Sequence, residues 1–199
     1  MNSYIKKLTG QAKTLGDDVY KVSKGILKDK RFPLWSGSSK PHQHHYGKGG
    51  LVKHTSEVVD LCFRVKSFYD HTYEIDSKEL FLSAFFHDVG KMHDYKPAIW
   101  ALSDNGELDY STWESTSHKR LIHHISRSGI MWAENAKLND DIYEKYFDKV
   151  LHAILAHHTC REAGSPVAPK SRVAWMVTLC DNLSARINDA DTWDILNGR

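Results

Sequence analysis

The chain has 199 residues, with 27 basic against 25 acidic side chains, a formal net charge of +2 and 41% hydrophobic residues. That size suits one compact domain able to bury a polar cluster, and the charge balance speaks against a protein held to nucleic acid chiefly by a basic surface, while leaving room for a local phosphate-binding cleft. No window approaches the ~18 apolar residues of a membrane span and no apolar stretch follows Met1–Lys7, so a soluble, cytoplasmic protein with no membrane partner is expected.

In chain order, Ile5, Leu8, Ala12, Leu15, Val19, Val22 and Ile26 recur by three and four, predicting one N-terminal helix within residues 1–35 that packs on its own domain. Gly10, Gly16 and Gly25 weaken it. Residues 32–50 read as irregular, broken by Pro33, Pro41 and several glycines. The next helix starts near Leu51, with Val58, Leu61, Cys62, Val65 and Phe68 on its apolar face. Ser77 reads as the N-cap of a helix ending at His87-Asp88. The stretch 99–110, with Asp104-Asn105-Gly106 at its turn, predicts a small β-hairpin insertion; its Trp100 and Tyr110 are expected to pack, with stacking on a base as the alternative. Helices follow from Ser115 to about Ala136 and from about Asn139 to Cys160. A last one runs from about Lys170 through Ile187, beyond Pro166 and Pro169. Cys62, Cys160 and Cys180, an odd set without metal-type spacing, read as reduced thiols buried in helices. The fold class is all-α, without internal repeats.

Thirteen histidines is the anomaly of composition, and they spread from His42 to His158 rather than forming a tag. His87 and Asp88 end the apolar run Leu80 to Phe86, where a charge and an imidazole require compensation. A metal ion supplies it. His54 shares a face with Val58 and Leu61, and Leu121 precedes His124 by three. Val150, Ile154 and His157 form one stripe, and Val173, Val177 and Asp181 another. Each of these residues has an ordinary core or capping explanation by itself. Five inward-facing polar sites in one small helical domain instead predict two hard or borderline ions, with Asp88 as the natural bridge.

The order His54, His87-Asp88, His124, His157-His158, Asp181 resembles the metal set of the HD-domain superfamily. Gly49-Gly50-Leu51-Val52-Lys53-His54, His87-Asp88-Val89-Gly90-Lys91, Leu155-Ala156-His157-His158, Gly164-Ser165-Pro166-Val167 and Leu179-Cys180-Asp181-Asn182-Leu183 extend the likeness over residues 40–190. These segments are most similar to the HD module of bacterial 3′-5′ exoribonucleases. The resemblance implies a helical bundle with two divalent ions (Mn, Fe, Mg, Co, Ni or Zn) at its centre. It implies His54, His87, Asp88 and Asp181 at the first, and Asp88, His124 and His157 at the second. His123-His124 stands where the family pattern has Gly-His, leaving His123 as an alternative ligand; His158 reaches a further ion or the substrate. His44 and His45 resemble a family pair at the substrate entrance, with a plain loop role as the alternative.

The expected chemistry is attack of a metal-activated hydroxide on a phosphate ester, with Asp88 and Lys91 central and Lys91 close enough to pair with a phosphoryl oxygen. Arg186, five residues and about 140° beyond Asp181, is expected at a phosphate or in an ion pair. With balanced charge and only one helix and a loop ahead of residue 40, a small nucleotide is the expected substrate and a 5′-nucleotidase-like phosphomonoesterase the favoured reading. The alternatives are 3′-5′ exonuclease action on RNA or DNA, a di-iron oxygenase on the same ligands, and a nucleotide-sensing module.

Overall fold

A computed structural model of the chain describes residues 2–98 and 110–196, with side chains through residue 189. Among them are nine α-helices: α1 (Ser3–Leu15), α2 (Asp17–Lys28), α3 (Gly50–Tyr69), α4 (Ser77–Phe86), α5 (Lys91–Asp94), α6 (Ser117–Leu121), α7 (His123–Ala136), α8 (Asp140–Ala156) and α9 (Arg172–Leu196). Two short strands, β1 (Tyr95–Pro97) and β2 (Trp113–Ser115), pair antiparallel with Tyr95 opposite Ser115. The all-α expectation holds, with this small sheet. The stretch predicted as a hairpin lies, through residue 109 and including Trp100, outside the described residues; the ladder is formed by its flanks.

The N-terminal apolar repeat folds as two helices, not one. Gly16 has φ 137°, and a Cβ there would stand 2.4 Å from Asp18 Oδ1, so the chain turns at a position that favours glycine. Both helices keep the predicted stripe buried: Leu8, Ala12, Val19 and Val22 are fully covered and join one core with Leu51, Phe81 and Val177. At its centre lies α4, whose residues from Leu80 to Phe86 are all fully buried. A helix hydrophobic all round is one that other elements surround, and α3, α8 and α9 pack against it.

The cap of α4 is Asp76, one residue before the expected Ser77. Its carboxylate accepts from the backbone N–H groups of Lys78 (2.8 Å) and Glu79 (3.2 Å), and from the Tyr146 hydroxyl (2.9 Å). Burial alone would raise the Asp76 carboxyl, but the Tyr146 and backbone bonds outweigh it and hold it below 3.8. A depressed carboxyl contributes stability above its unfolded value, and loses it as pH falls through the folded one. Asp76→Ala is therefore expected to cost about 1–2 kcal/mol at neutral pH. Urea titrations of both proteins should show that gap closing as pH falls below 3.8; a gap of the same size in acid would contradict it.

Two further breaks depart from the sequence reading. The helix expected from Ser115 to Ala136 is divided at Ile122, because His123 takes φ 68° and restarts the chain as α7. Leu121, the residue used to aim His124 inward, is 81% exposed; His124 is brought in by the new helix start instead. The helix expected to reach Cys160 ends at Ala156, with Thr159 at φ 72°, so Cys160 is exposed rather than buried, whereas Cys62 and Cys180 are buried. Among the described residues no helix is long and apolar enough to cross a membrane.

Candidate metal centre

Five elements converge on one buried cluster. α3 contributes His54, the end of α4 contributes His87 and Asp88, the first turn of α7 contributes His124, the end of α8 contributes His157, and α9 contributes Asp181. His54, His87, Asp88 and Asp181 place ligand atoms within 4.8 Å of one another, as do His124, His157 and His158.

Asp88 joins the two sets. Its Oδ2 lies 3.3 Å from His54 Nε2 and 3.5 Å from His87 Nε2, while its Oδ1 lies 3.4 Å from His124 Nε2 and 3.6 Å from His157 Nε2. Asp181 Oδ1 closes the first set, 3.0 Å from His54 Nε2 and 3.7 Å from His87 Nε2. The structure brings His124, not His123, to Asp88. His123 is half-buried with its ring 4.1 Å from that of His124.

The Nδ1 atoms decide what the Nε2 atoms can do. His87 Nδ1–H donates to the Ala84 carbonyl and His157 Nδ1–H to the Ile154 carbonyl, each at 2.7 Å. His124 Nδ1–H donates to Asp94 Oδ2 at 3.1 Å. His54 Nδ1–H donates to Ser184 Oγ at 3.2 Å, and that hydroxyl donates onward to Glu57 Oε2 at 3.0 Å. With Nδ1 committed to these bonds, Nε2 is the atom each ring turns toward the centre, where its lone pair can serve a cation. Asp88 Oδ1 and the Nε2 atoms of His124 and His157 are thus acceptors facing acceptors, buried and without a hydrogen-bond partner among the described residues. Each such atom costs about 1–3 kcal/mol if nothing is bound. A divalent cation fits this donor set.

Charge points the same way. Lys91 is 5% exposed and stands 2.6 Å from Asp88 Oδ2. Burial works against its ammonium, but Asp88 overrides that and holds its pKa above the usual lysine value. Burial likewise pushes the His87 imidazole down, yet Asp88 and Asp181 hold it up at about 10. Both carboxyls stay ionised against the effect of burial, Asp88 through Lys91 and His87, Asp181 through His54 and His87. Burial brings His124 down to about 3 despite Asp94 and Asp88. In the metal-free chain, His87 and Lys91 are the cations that balance the two carboxylates.

The centre opens into a cavity of about 350 Å³ lined by Gln43, His44, Lys91, His158, Asp181 and Arg186. Burial holds His44 at about 3 and His158 at about 4, so both rings are neutral at pH 7 and offer hydrogen bonds rather than charge. Arg186, paired with Asp189 at 3.4 Å, shares this opening with Asp181 despite their angular separation, because the cavity is wide and the arginine long. His45 does not line it. It lies behind, its Nε2 2.7 Å from Glu57 Oε2 and its backbone N–H donating to Asn188 Oδ1. Gly50 is what lets this loop lie on the start of α3, since a Cβ there would stand 1.8 Å from the His45 carbonyl oxygen.

Sequence reading missed Asp94, Glu57 and Ser184. Glu57 is three residues past His54 and Ser184 three past Asp181, so helical spacing alone places each beside a ligand-capable residue. Asp94 is fully buried. It accepts from the backbone N–H and Nδ1 of His124 through Oδ2, and from His118 Nδ1 at 2.8 Å through Oδ1. No pattern in the sequence marks it, because a tertiary contact places it: the short turn after Gly90 brings α5 against α7, and a Cβ on Gly90 would stand 2.2 Å from the His124 carbonyl oxygen. Asp94→Asn is expected to weaken metal binding at the His124–His157 set by about 10–100-fold. Metal titration should then show one weak site where the wild type has a strong one; two unchanged sites would remove Asp94 from the account.

An all-α bundle with this histidine–aspartate centre is the architecture of a metal-dependent phosphoester hydrolase. The HD domain family model matches residues 51–186, and the chain belongs to that family. It is similar to the 3′-5′ exoribonuclease YhaM of Shouchella clausii, 29% identical over 176 residues that cover 87% of this chain and 49% of that protein. The proteins of the same name from Bacillus licheniformis and Bacillus subtilis are 28% and 24% identical, again over 87% of this chain and 50% of theirs. The chain thus spans about half the length of the curated relatives it matches. No solved structure matches it.

Proposed function

We propose that this chain removes nucleotides from the 3′ end of RNA by hydrolysing the terminal phosphodiester. In this reading His54, His87, Asp88 and Asp181 hold one divalent ion, and Asp88, His124 and His157 hold a second. The observation that carries the hydrolytic centre is Asp88, whose two oxygens face separate sets of histidine Nε2 atoms. The names of the relatives support the polymer substrate over the mononucleotide expected from composition.

Bound divalent ions supply an activated water and polarise the phosphoryl oxygens. The chain's own residues do the rest. Lys91 is a fixed cation, ionised at any working pH, for a non-bridging phosphoryl oxygen. Arg186 at the rim is placed for the neighbouring phosphate, and the neutral rings of His44 and His158 hydrogen-bond the terminal nucleotide. We read residues 1–35 as part of the same domain and the setting as cytoplasmic, supported by the free thiols. A second reading, hydrolysis of a mononucleotide monoester, is favoured by the cavity of about 350 Å³, which suits one nucleotide.

The test is a 5′-labelled RNA of about ten nucleotides beside a panel of nucleoside monophosphates, with manganese, comparing wild type and Asp88→Ala. Stepwise shortening from the 3′ end, lost in the variant, is expected. Phosphate release from monophosphates without shortening would establish the second reading; turnover of neither substrate would refute both.

A further inference from the structure

We propose that the face formed by the end of α3 and the outer side of α9 is where a second copy of this chain docks. Trp175, Leu179 and Leu183 stand 47%, 61% and 47% exposed at four-residue spacing, forming a continuous apolar ridge along α9. Beside it Phe68 is 76% exposed, with Tyr69 and Tyr73 at 42% and 43%, giving an aromatic wall. Between wall and ridge runs a groove of about 730 Å³, floored by Met176 and Cys180. Scattered exposed apolar side chains are ordinary; a contiguous patch with its own groove is not.

The area fits a dimer. These six residues are 42–76% exposed, which at about 150–250 Å² for each aromatic side chain leaves on the order of 600 Å² uncovered, whereas a standard interface takes ~800 Å² from each partner, of which a little over half is apolar. The shape selects a second copy over another partner. A ridge of residues four apart packs into the same ridge on a second helix, in the commonest class of helix crossing. A two-fold axis between Leu179 and Leu183 sets the two ridges against each other, Leu179 of one copy beside Leu183 of the other, as an isologous interface requires. Arg172, stacked 4.7 Å over the Tyr73 ring, closes one end with a polar rim. The patch contains none of the residues that line the metal-centre opening.

Sedimentation velocity of the full chain from about 1 to 100 μM is the test. A dimer is expected, and Leu179→Glu should raise its dissociation constant by about a hundredfold or more. Leu179 is mostly exposed, so the variant keeps its core, and an unchanged circular dichroism melt checks this. The double variant L179E/L183K places opposite charges across the two-fold axis and should restore much of the association. A wild type that stays monomeric throughout, or a dimer indifferent to Leu179→Glu, would overturn the proposal. So would a double variant no better than the single one.

Discussion

Asp88→Asn is expected to lower activity by at least about 10³-fold and to abolish stoichiometric metal binding, the largest effect of any single substitution in this chain. Both carboxylate oxygens are engaged on different sides, so the amide cannot serve both histidine sets. The substitution also strips the buried Lys91 of its partner at 2.6 Å, and breaking a buried pair on one side costs about 3–5 kcal/mol. Loss of activity alone would therefore be ambiguous. The double variant D88N/K91M removes the stranded cation, and should recover most of the stability while staying inactive and metal-free. Denaturant titration beside metal analysis separates the two effects. A stable, metal-loaded and active Asp88→Asn protein would leave the bridging role without support.

Stripping the metals is the second large effect. Without an ion, Asp88 Oδ1 and the Nε2 atoms of His124 and His157 remain buried with no hydrogen-bond partner among the described residues. An ion bound only by the folded chain stabilises it by about 2.7 kcal/mol at a hundred times its dissociation constant. For a chain of this size each kcal/mol moves the melting midpoint by roughly 2–4 °C, so chelation should lower it by about 5–10 °C per site. Manganese in excess should restore it. The pH dependence has a defined sign. His87 holds its proton up to about 10 in the metal-free chain, so ligation displaces that proton and metal affinity weakens as pH falls. Calorimetry in two buffers of different ionisation enthalpy should register proton release at pH 7; no release, or no change in melting, would count against the assignment.

Much of this centre was legible in the sequence because helical spacing is a reliable guide to direction. His54, His157 and Asp181 follow the apolar stripes of α3, α8 and α9 and arrive where those stripes point. His124 arrived for a different reason: its spacing from Leu121 had no bearing, and the left-handed turn at His123 delivered it. Periodicity does not reveal where a non-glycine residue takes a positive φ, so the breaks at Ile122 and after Ala156 were not visible, and the exposure of Cys160 followed from the second. Gly16 carried the break between α1 and α2 in plain sight, but a helix tolerates an isolated glycine as often as it ends there. Two of the three supporting residues carry a spacing signal of their own. Glu57 and Ser184 sit at the same spacing from His54 and Asp181 that identified the inward residues themselves. Asp94 was beyond reach, because it meets His124 through the tertiary contact of Gly90 with α7.

The most direct test of the central claim is the manganese content of the purified chain, read with its electron paramagnetic resonance spectrum. A centre bridged by Asp88 predicts two ions per chain and a spin-coupled spectrum, both lost in Asp88→Asn. One ion per chain with the six-line pattern of isolated manganese would contradict a shared carboxylate, and with it the paired centre on which the hydrolytic reading stands.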